Sequence, residues 1–166
     1  PHDIPSADDL ESIGVHAYKI ASLDMTNGPL LEHVAKKGKP MLLSTGMSTL
    51  GEIERAVGII ERHAPSEFII LHCISSYPAN RNSLNLNAMS TLRNAFGRPV
   101  GFSDHSIGPE APIVAASIGA RCVEKHFTLD HNLEGPDHIF SLNPIEMNYL
   151  IEVVNDIPGM LGTSSR

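Results

Sequence analysis

The amino-acid sequence predicts a parallel α/β fold, and three features of its hydrophobic pattern lead to that class. Short apolar runs recur about five times, and each is followed by a segment with helical spacing. The runs do not alternate with polar residues, which is typical of strands that helices cover on both faces. Polar residues follow each run where the strand would end, and parallel α/β folds place their chemistry at that edge.

The length of the chain limits which parallel fold it can form. It has 166 residues, the size of one ordinary domain. A complete eight-stranded (β/α)8 barrel usually takes ~250 residues. The sequence supplies about five strand–helix units, spaced roughly 25–30 residues apart as in ordinary βα repeats. It therefore predicts either a small open sheet or the C-terminal part of a barrel.

Each predicted strand is an apolar run that gives way to polar residues. The predicted strands are Ala17–Ser22, Pro40–Leu43, Phe68–Cys73, Val100–Phe102 and Cys122–Val123. The helices between them are predicted from apolar spacing, N-terminal caps and glycine stops. They run from about Ser6 to Ile13, Leu30 to Lys37, Ser48 or Thr49 to His63, Leu86 to Phe96, Ala111 to Ala120, and onward from Pro144. We expect a loose tail from Pro158 onward.

Composition excludes several classes of partner. The formal net charge of -7 and the lack of basic runs argue against nucleic acid and against an anionic membrane surface. No apolar stretch approaches the ~18–20 residues that span a bilayer, and no signal peptide is visible. Cys73 and Cys122 lie in strand-like runs without metal-type spacing, so we expect buried thiols and a reducing cytoplasmic setting. Because the chain begins at Pro1, we expect it to be part of a longer protein.

The polar strand ends supply the candidate functional residues. They are Lys19 and Ser22, Ser44 and Thr45, His72 and Ser75, Ser103 to His105, and Glu124 to His126. Any one of them could be a turn or cap residue, but together they would lie along one rim. His105 and His126 end adjacent predicted strands and could bind a labile divalent metal, although a buried structural histidine is the alternative.

Lys19 and the segment that begins at Ser44 have the chemistry of an anion site. A lysine at this rim could hold a phosphate or carboxylate as a point charge, or it could be an ordinary surface lysine. Ser44, Thr45 and Gly46 precede a helix and could offer hydroxyl and backbone N–H groups. The remaining histidines considered look like surface or linker residues: His2, His16, His33, His63 and His131.

Several longer motifs, in order, resemble the sialic acid synthase family, the phosphoenolpyruvate-dependent N-acetylneuraminate synthases. The motifs are YKIAS at Tyr18–Ser22, PLLEHVAKKGKPMLLSTGMS at Pro29–Ser48, LHCISSYP at Leu71–Pro78, GFSDHSIG at Gly101–Gly108, EKHFTLD at Glu124–Asp130 and GPDHIFSL at Gly135–Leu142. The resemblance extends from Ala17 to about Val154. It implies strands four to eight of a (β/α)8 TIM barrel, with residues 1–157 a partial catalytic domain and 158–166 a tail. It also implies that the first three barrel strands and a C-terminal antifreeze-like domain are absent, and that the parent protein is a homodimer.

The resemblance also implies a role for each candidate residue. His105 and His126 would bind Mn or Mg, and phosphoenolpyruvate would be held by Lys19, Ser44, Ser75 and Ser103. The acylamino sugar would face Ser22, Asp24, Tyr77 and Asp137. Asp24, Asp137 and Lys19 would be the catalytic residues. Family members often have Glu at the place of Asp24 and Asn at the place of Ser75.

The implied reaction condenses phosphoenolpyruvate with N-acetylmannosamine or a related acylamino sugar. The products would be N-acetylneuraminate, or a related nonulosonate, and phosphate. Two alternatives remain open from the sequence. One is another metal-dependent barrel aldolase or synthase, and the other is a non-catalytic unit that needs the rest of the barrel.

Overall fold

The structure is a computed structural model that describes residues 1–63 and 67–163. Within these ranges the strands are β1 (Tyr18–Ile20), β2 (Met41–Ser44), β3 (Phe68–Cys73), β4 (Val100–Asp104) and β5 (Val123–Lys125). The helices are α1 (Ile4–Ser12), α2 (Gly28–Ala35), α3 (Leu50–His63), α4 (Ala88–Phe96), α5 (Glu110–Ser117) and α6 (Pro144–Leu161). Short 3-10 helices occupy Ser22–Asp24, Arg81–Ser83 and His138–Phe140.

The five strands form one parallel sheet in the order β1-β2-β3-β4-β5, as the sequence pattern predicts. Each strand therefore pairs with the next strand along the chain, which is the connectivity of a barrel wall. Lys19 of β1 and Glu124 of β5 lie on opposite edges of this sheet, yet their Nζ and Oε1 atoms are 3.2 Å apart. The sheet is therefore strongly curved, and the partial barrel that the sequence predicts is confirmed.

The two faces of the sheet have different roles because successive strand side chains point in opposite directions. The outer face packs against the helices and contains most of the hydrophobic core. Its fully buried members are Tyr18, Ile20, Met41, Leu43, Ile70, Val100 and Phe102. The concave face carries Lys19, with half-buried Leu42 and Ile69 in the same register row, and carries Ser103 and Glu124 nearer the C-terminal ends of the strands.

Local sequence signals explain where the helices begin. Helix α3 has the expected capping box, because the Thr49 backbone N–H donates to Glu52 and the Glu52 backbone N–H donates to Thr49 Oγ1. Helix α1 begins earlier than predicted, since the Asp3 carboxylate accepts a hydrogen bond from the Ser6 N–H at 2.7 Å. The prediction that Ser6 begins this helix was wrong because Asp3 is the capping residue.

Helix α6 extends past the residue at which we predicted a loose tail. It continues through Pro158 to Leu161, and Gly162 N–H donates to the Pro158 carbonyl at 3.1 Å. Proline removes one backbone donor but leaves its own carbonyl free to accept, and buried Ile157 anchors this last turn. Residues 158–161 are therefore helical, whereas the predicted tail at residues 164–166 lies outside the described residues.

Of the two cysteines that we expected to be buried, only one is. Both thiols are free, Cys73 is buried and Cys122 is only half-buried. The prediction that Cys122 is a buried core residue was therefore wrong, because it adjoins the edge strand β5. Across the two described ranges, no helix is long and apolar enough to cross a membrane.

Candidate active site

The strand ends meet along one rim, which we define as the C-terminal ends of β1 to β5 and the residues that follow them. Parallel register places Cys73 beside Ser103 and Ser103 beside Glu124. The alternation of side chains then directs Ser103 and Glu124 into the concave face. The polar clusters that the sequence places at strand ends are therefore neighbours in space.

Lys19, Ser103 and Glu124 form the charged part of this rim. Ser103 Oγ donates to Glu124 Oε1 at 2.7 Å, and Lys19 Nζ forms an ion pair with the same oxygen. About a third of each charged side chain is exposed, so both can reach a ligand. Glu124 is a site residue that our sequence analysis placed among the polar strand ends but to which it assigned no role. Its position two residues before His126, on the same face of a strand, was the signal that could have found it.

Ser22 and Ser75 lie against Gly46, and with Ser44 at the end of β2 they form a group of hydroxyls at the rim. Gly46 N–H donates to Ser22 Oγ at 2.9 Å. A Cβ at Gly46 would lie 2.9 Å from Ser22 Oγ and closer still to Ser75 Oγ, so only glycine fits there. The hydroxyls of Ser44 and Ser75 are buried and have no hydrogen-bond partner among the described residues. Buried polar atoms are usually paired, so these two hydroxyls are available to a ligand.

His105 and His126 are brought together as the sequence predicts, with ring centroids 5.2 Å apart. His105 is buried, and its Nδ1–H donates to the Ile74 carbonyl at 3.0 Å. A carbonyl only accepts, so Nδ1 carries the proton and the Nε2 lone pair is free in the neutral ring. Burial lowers the pKa of His105 below its ordinary value, which keeps the ring neutral near pH 7.

The donor chemistry of this histidine pair fits part of a divalent metal site. Neutral imidazoles are ligands for borderline metals, and a carbonyl bond on the second ring nitrogen is a frequent feature of such ligands. The described residues contain no group of three or more His, Cys, Asp or Glu placed to hold a metal ion. His105 and His126 therefore fit as two ligands of an open site. The other positions would be taken by water, by substrate or by further residues.

An aromatic wall borders the histidines. Tyr77 lies 4.1 Å from the His105 ring, and Phe140 lies 5.0 Å from the His126 ring, measured between centroids. Tyr77 precedes a cis peptide bond to Pro78. Desolvation, with a smaller effect of Cys73, raises the pKa of Tyr77, so its phenol stays protonated and can donate a hydrogen bond.

The two candidate carboxylates have different surroundings. Asp24 is buried and its Oδ2 lies 2.6 Å from His2 Nδ1, whereas Asp137 is more than half exposed. Asp137 Oδ2 lies 3.6 Å from His126 Nδ1, too far for a hydrogen bond but close enough to attract a protonated ring. We predicted a surface or linker role for His2. Its side chain is exposed, but it contacts a candidate catalytic carboxylate.

His72 ends a predicted strand but does not join the site. Its ring faces outward and stacks on Phe102, with 5.9 Å between the ring centroids. Its Nε2 lies 2.7 Å from the Leu84 carbonyl oxygen. Burial lowers the pKa of His72 below its ordinary value. Because successive side chains of a strand point to opposite faces, His72 lies on the helix-covered face while its neighbour Cys73 lies on the concave face. His72 is therefore a structural histidine.

Comparison with known proteins agrees with this geometry. The NeuB family matches residues 1–166, the whole chain. An uncharacterized protein of Methanocaldococcus jannaschii, MJ1065, is 49% identical over 166 residues, which is 100% of this chain and 49% of that protein. The N,N'-diacetyllegionaminic acid synthase of Legionella pneumophila is 41% identical over 168 residues, covering 99% of this chain and 47% of the synthase. The chain thus spans about half the length of these curated relatives.

A solved structure shows the same arrangement of elements. The crystal structure of N-acetylneuraminic acid synthetase from Leptospira borgpetersenii, in complex with citrate, matches with a TM-score of 0.94 and 42% identity. The match covers 99% of this chain and 57% of the synthetase chain. From the family match over its full length and from these relatives, the chain belongs to the NeuB family.

Proposed function

We propose that the protein containing this chain condenses phosphoenolpyruvate with an acylamino sugar, releasing phosphate and forming a nonulosonate such as N-acetylneuraminate. The observation that carries the proposal is the convergence, on one rim, of a cation, unpaired buried hydroxyls and a pair of histidines. The relatives named above as legionaminic and N-acetylneuraminic acid synthases support this class of reaction.

The anionic substrate is assigned to the Lys19 side of the rim. Lys19 offers a positive charge, while Ser44 and Ser75 offer hydroxyls that have no partner within the described residues. A charged phosphate or carboxylate forms hydrogen bonds stronger than those between neutral groups. On binding, the anion would compete with Glu124 for Lys19, and the Ser103 hydroxyl could donate either to Glu124 or to the anion.

The sugar is assigned to the opposite side, beside the aromatic wall. Tyr77 can donate from its phenol there, and Asp137 adjoins His126. Asp137 and Asp24, which follows β1 and contacts His2, are the two carboxylates proposed for proton transfer. In the proposed reaction, C3 of phosphoenolpyruvate forms a bond to the aldehyde carbon, and the aldehyde oxygen takes up a proton. Because the C2=C3 π electrons form that bond, C2 becomes an oxocarbenium centre, to which water adds with loss of a proton. The C2 hydroxyl then loses its proton as the C2–O bond to phosphate breaks, which leaves the ketone and free phosphate.

His105 and His126 are the residues that would hold a divalent metal, Mn or Mg. When bound there, such an ion would act as a Lewis acid toward the aldehyde oxygen. The role of the protein at this position is to present two imidazole rings, and burial lowers the pKa of His105 so that this ring stays neutral. The carbonyl of Ile74 fixes the tautomer and the ring direction.

The test is phosphate release by the full-length protein from phosphoenolpyruvate and a panel of acylamino sugars, with and without Mn. We expect release to require both substrates and to fall at least about 100-fold in the His105→Ala, His126→Ala double variant, the range typical of losing acid–base or metal groups. His63→Ala, at a surface histidine near Glu32, is the matched control and should keep full activity. Undiminished release by the double variant would contradict the proposal.

A further inference from the structure

A second ionic cluster lies directly behind the histidine pair, on the helix-covered face of the sheet. Asp104 of β4 and Lys125 of β5 form an ion pair with Oδ2 and Nζ 2.7 Å apart. Their side chains are 0% and 2% exposed, although the backbone of the edge strand β5 is itself partly exposed. Both belong to the polar strand ends, but the sequence analysis gave neither a role, and neither faces the concave side.

The hydrogen bonds of this pair converge on Ser106. Ser106 N–H donates to Asp104 Oδ1 at 2.9 Å, and Ser106 Oγ donates to Asp104 Oδ2 at 3.1 Å. Lys125 Nζ also donates to the Ser106 carbonyl. Ser106 is therefore bonded to Asp104 of β4 through its N–H and its hydroxyl, and to Lys125 of β5 through its carbonyl.

The pair stands one residue before each histidine. Asp104 and Lys125 are partners in the strand register, and His105 and His126 follow them on the opposite face. Beyond the pair, the His105 carbonyl accepts from Ala79 N–H at 2.9 Å, and the His126 carbonyl accepts from Leu142 N–H at 2.8 Å. The Asp104–Lys125 pair is thus the last side-chain link between β4 and β5 before the two histidines, and the loops that follow add one backbone bond at each histidine.

Stability alone does not account for such a pair. Desolvation of two buried charges costs about as much as their attraction returns, so apolar residues of similar volume often replace them without loss. What an apolar pair cannot supply is directional bonds to the backbone. The network therefore serves geometry, and the geometry it fixes is that of the strand ends carrying the histidines.

We propose that Asp104 and Lys125 are positioning residues that set the spacing of His105 and His126 and thereby the metal affinity of the rim. The inference rests on the proposed metal role of the two histidines, and the pair itself touches neither substrate nor metal. Outer-shell groups that orient metal-binding histidines commonly change affinity about 10- to 100-fold when they are removed.

The experiment measures binding of Mn²⁺ alone to the full-length protein by electron paramagnetic resonance, without substrates. The main variant is Asp104→Asn with Lys125→Met. It keeps an acceptor for the Ser106 N–H and fills the lysine site, while it removes both bonds of Lys125, to Asp104 and to the Ser106 carbonyl. We expect Mn²⁺ to bind at least about tenfold more weakly. The unfolding temperature and metal-free binding of phosphoenolpyruvate, which uses other residues, should stay near the wild-type values.

The matched control removes the ion pair of Glu61 and Arg98, which are 2.6 Å apart at the opposite end of β4. The Glu61→Gln, Arg98→Gln variant should bind Mn²⁺ like the wild type. A folded Asp104→Asn, Lys125→Met protein with wild-type Mn²⁺ affinity would overturn the inference. If that variant unfolds, Ser106→Ala decides, since it removes only the hydroxyl bond to Asp104: weaker Mn²⁺ binding supports the inference and unchanged binding overturns it.

Failure of the underlying function has a different signature. If the wild type binds no Mn²⁺, or if the His105→Ala, His126→Ala protein binds it equally well, the proposed metal role itself is refuted. If the histidine variant loses Mn²⁺ while the Asp104→Asn, Lys125→Met variant does not, only the positioning role is refuted.

Discussion

Replacement of Ser44 by alanine should stabilise the free protein while weakening its hold on an anion. Ser44 is 1% exposed, so bulk solvent does not reach its hydroxyl, and that hydroxyl has no hydrogen-bond partner among the described residues. A buried unpaired hydroxyl of this kind costs about 1–3 kcal/mol. Ser44→Ala removes that cost, less a small loss from the cavity left by one oxygen.

The expected gain is therefore about 1 kcal/mol in the free energy of unfolding, which raises the unfolding temperature of a domain of this size by about 2–4 °C. A hydrogen bond to a charged ligand contributes about 1.5–3 kcal/mol, so affinity for phosphoenolpyruvate should fall about 10- to 100-fold. Stability is measured by urea unfolding in phosphate-free buffer, and binding by calorimetry on the same samples.

Ser103→Ala is the matched control for the sign of the stability effect. Its hydroxyl donates to Glu124 Oε1 at 2.7 Å, so its removal should destabilise the protein rather than stabilise it. Ser83→Ala, at an exposed residue outside the rim, controls for binding. A Ser44→Ala protein that is less stable than the wild type and binds phosphoenolpyruvate with unchanged affinity would refute the reasoning.

Three further predictions concern packing, pH and the sugar side. A Cβ at Gly101 would lie 2.5 Å from the Cys122 carbonyl oxygen, so Gly101→Ala should destabilise the folded protein by about 1–3 kcal/mol in urea unfolding. Gly58→Ala on α3, where a Cβ has room, should not destabilise it. Equal stability of the two variants would refute this. Burial lowers the pKa of His72, so the unfolded state binds protons at a higher pH than the folded state, and stability falls as the pH drops below about 6.5. The His72→Gln variant should lose less stability than the wild type between pH 7 and pH 5. An equal loss in the two proteins would count against the argument. His2→Ala removes the partner of Asp24, so it should raise KM for the sugar but leave KM for phosphoenolpyruvate unchanged in steady-state kinetics. A raised KM for phosphoenolpyruvate with an unchanged KM for the sugar would exclude a role of Asp24 in sugar binding.

The parallel sheet and its rim could be predicted because strand period and strand order are local signals. Continuous apolar runs such as Phe68–Cys73 indicate a covered parallel strand, and the polar residues after them mark the functional edge. The convergence of His105 and His126 followed from their equivalent positions at the ends of consecutive strands. The family resemblance supplied the roles, which composition and spacing alone do not distinguish.

The missed features depend on which side of a strand a residue faces and on distant partners. His72 appeared to end a strand like the site residues, but a shift of one position turns it to the helix-covered face. Lys125 sits between two site residues and points away from both, toward Asp104. The contact of His2 with Asp24 joins segments that are 22 positions apart, and no local pattern in the sequence predicts such a pairing.

The most direct test of the central claim is phosphate release by the full-length protein under four conditions: complete, without phosphoenolpyruvate, without sugar and without divalent metal. The account predicts release only in the complete mixture, coupled one to one to nonulosonate formation, and its loss when both His105 and His126 are replaced by alanine. Phosphate release that is independent of the sugar, or that persists without the two histidines, would contradict it.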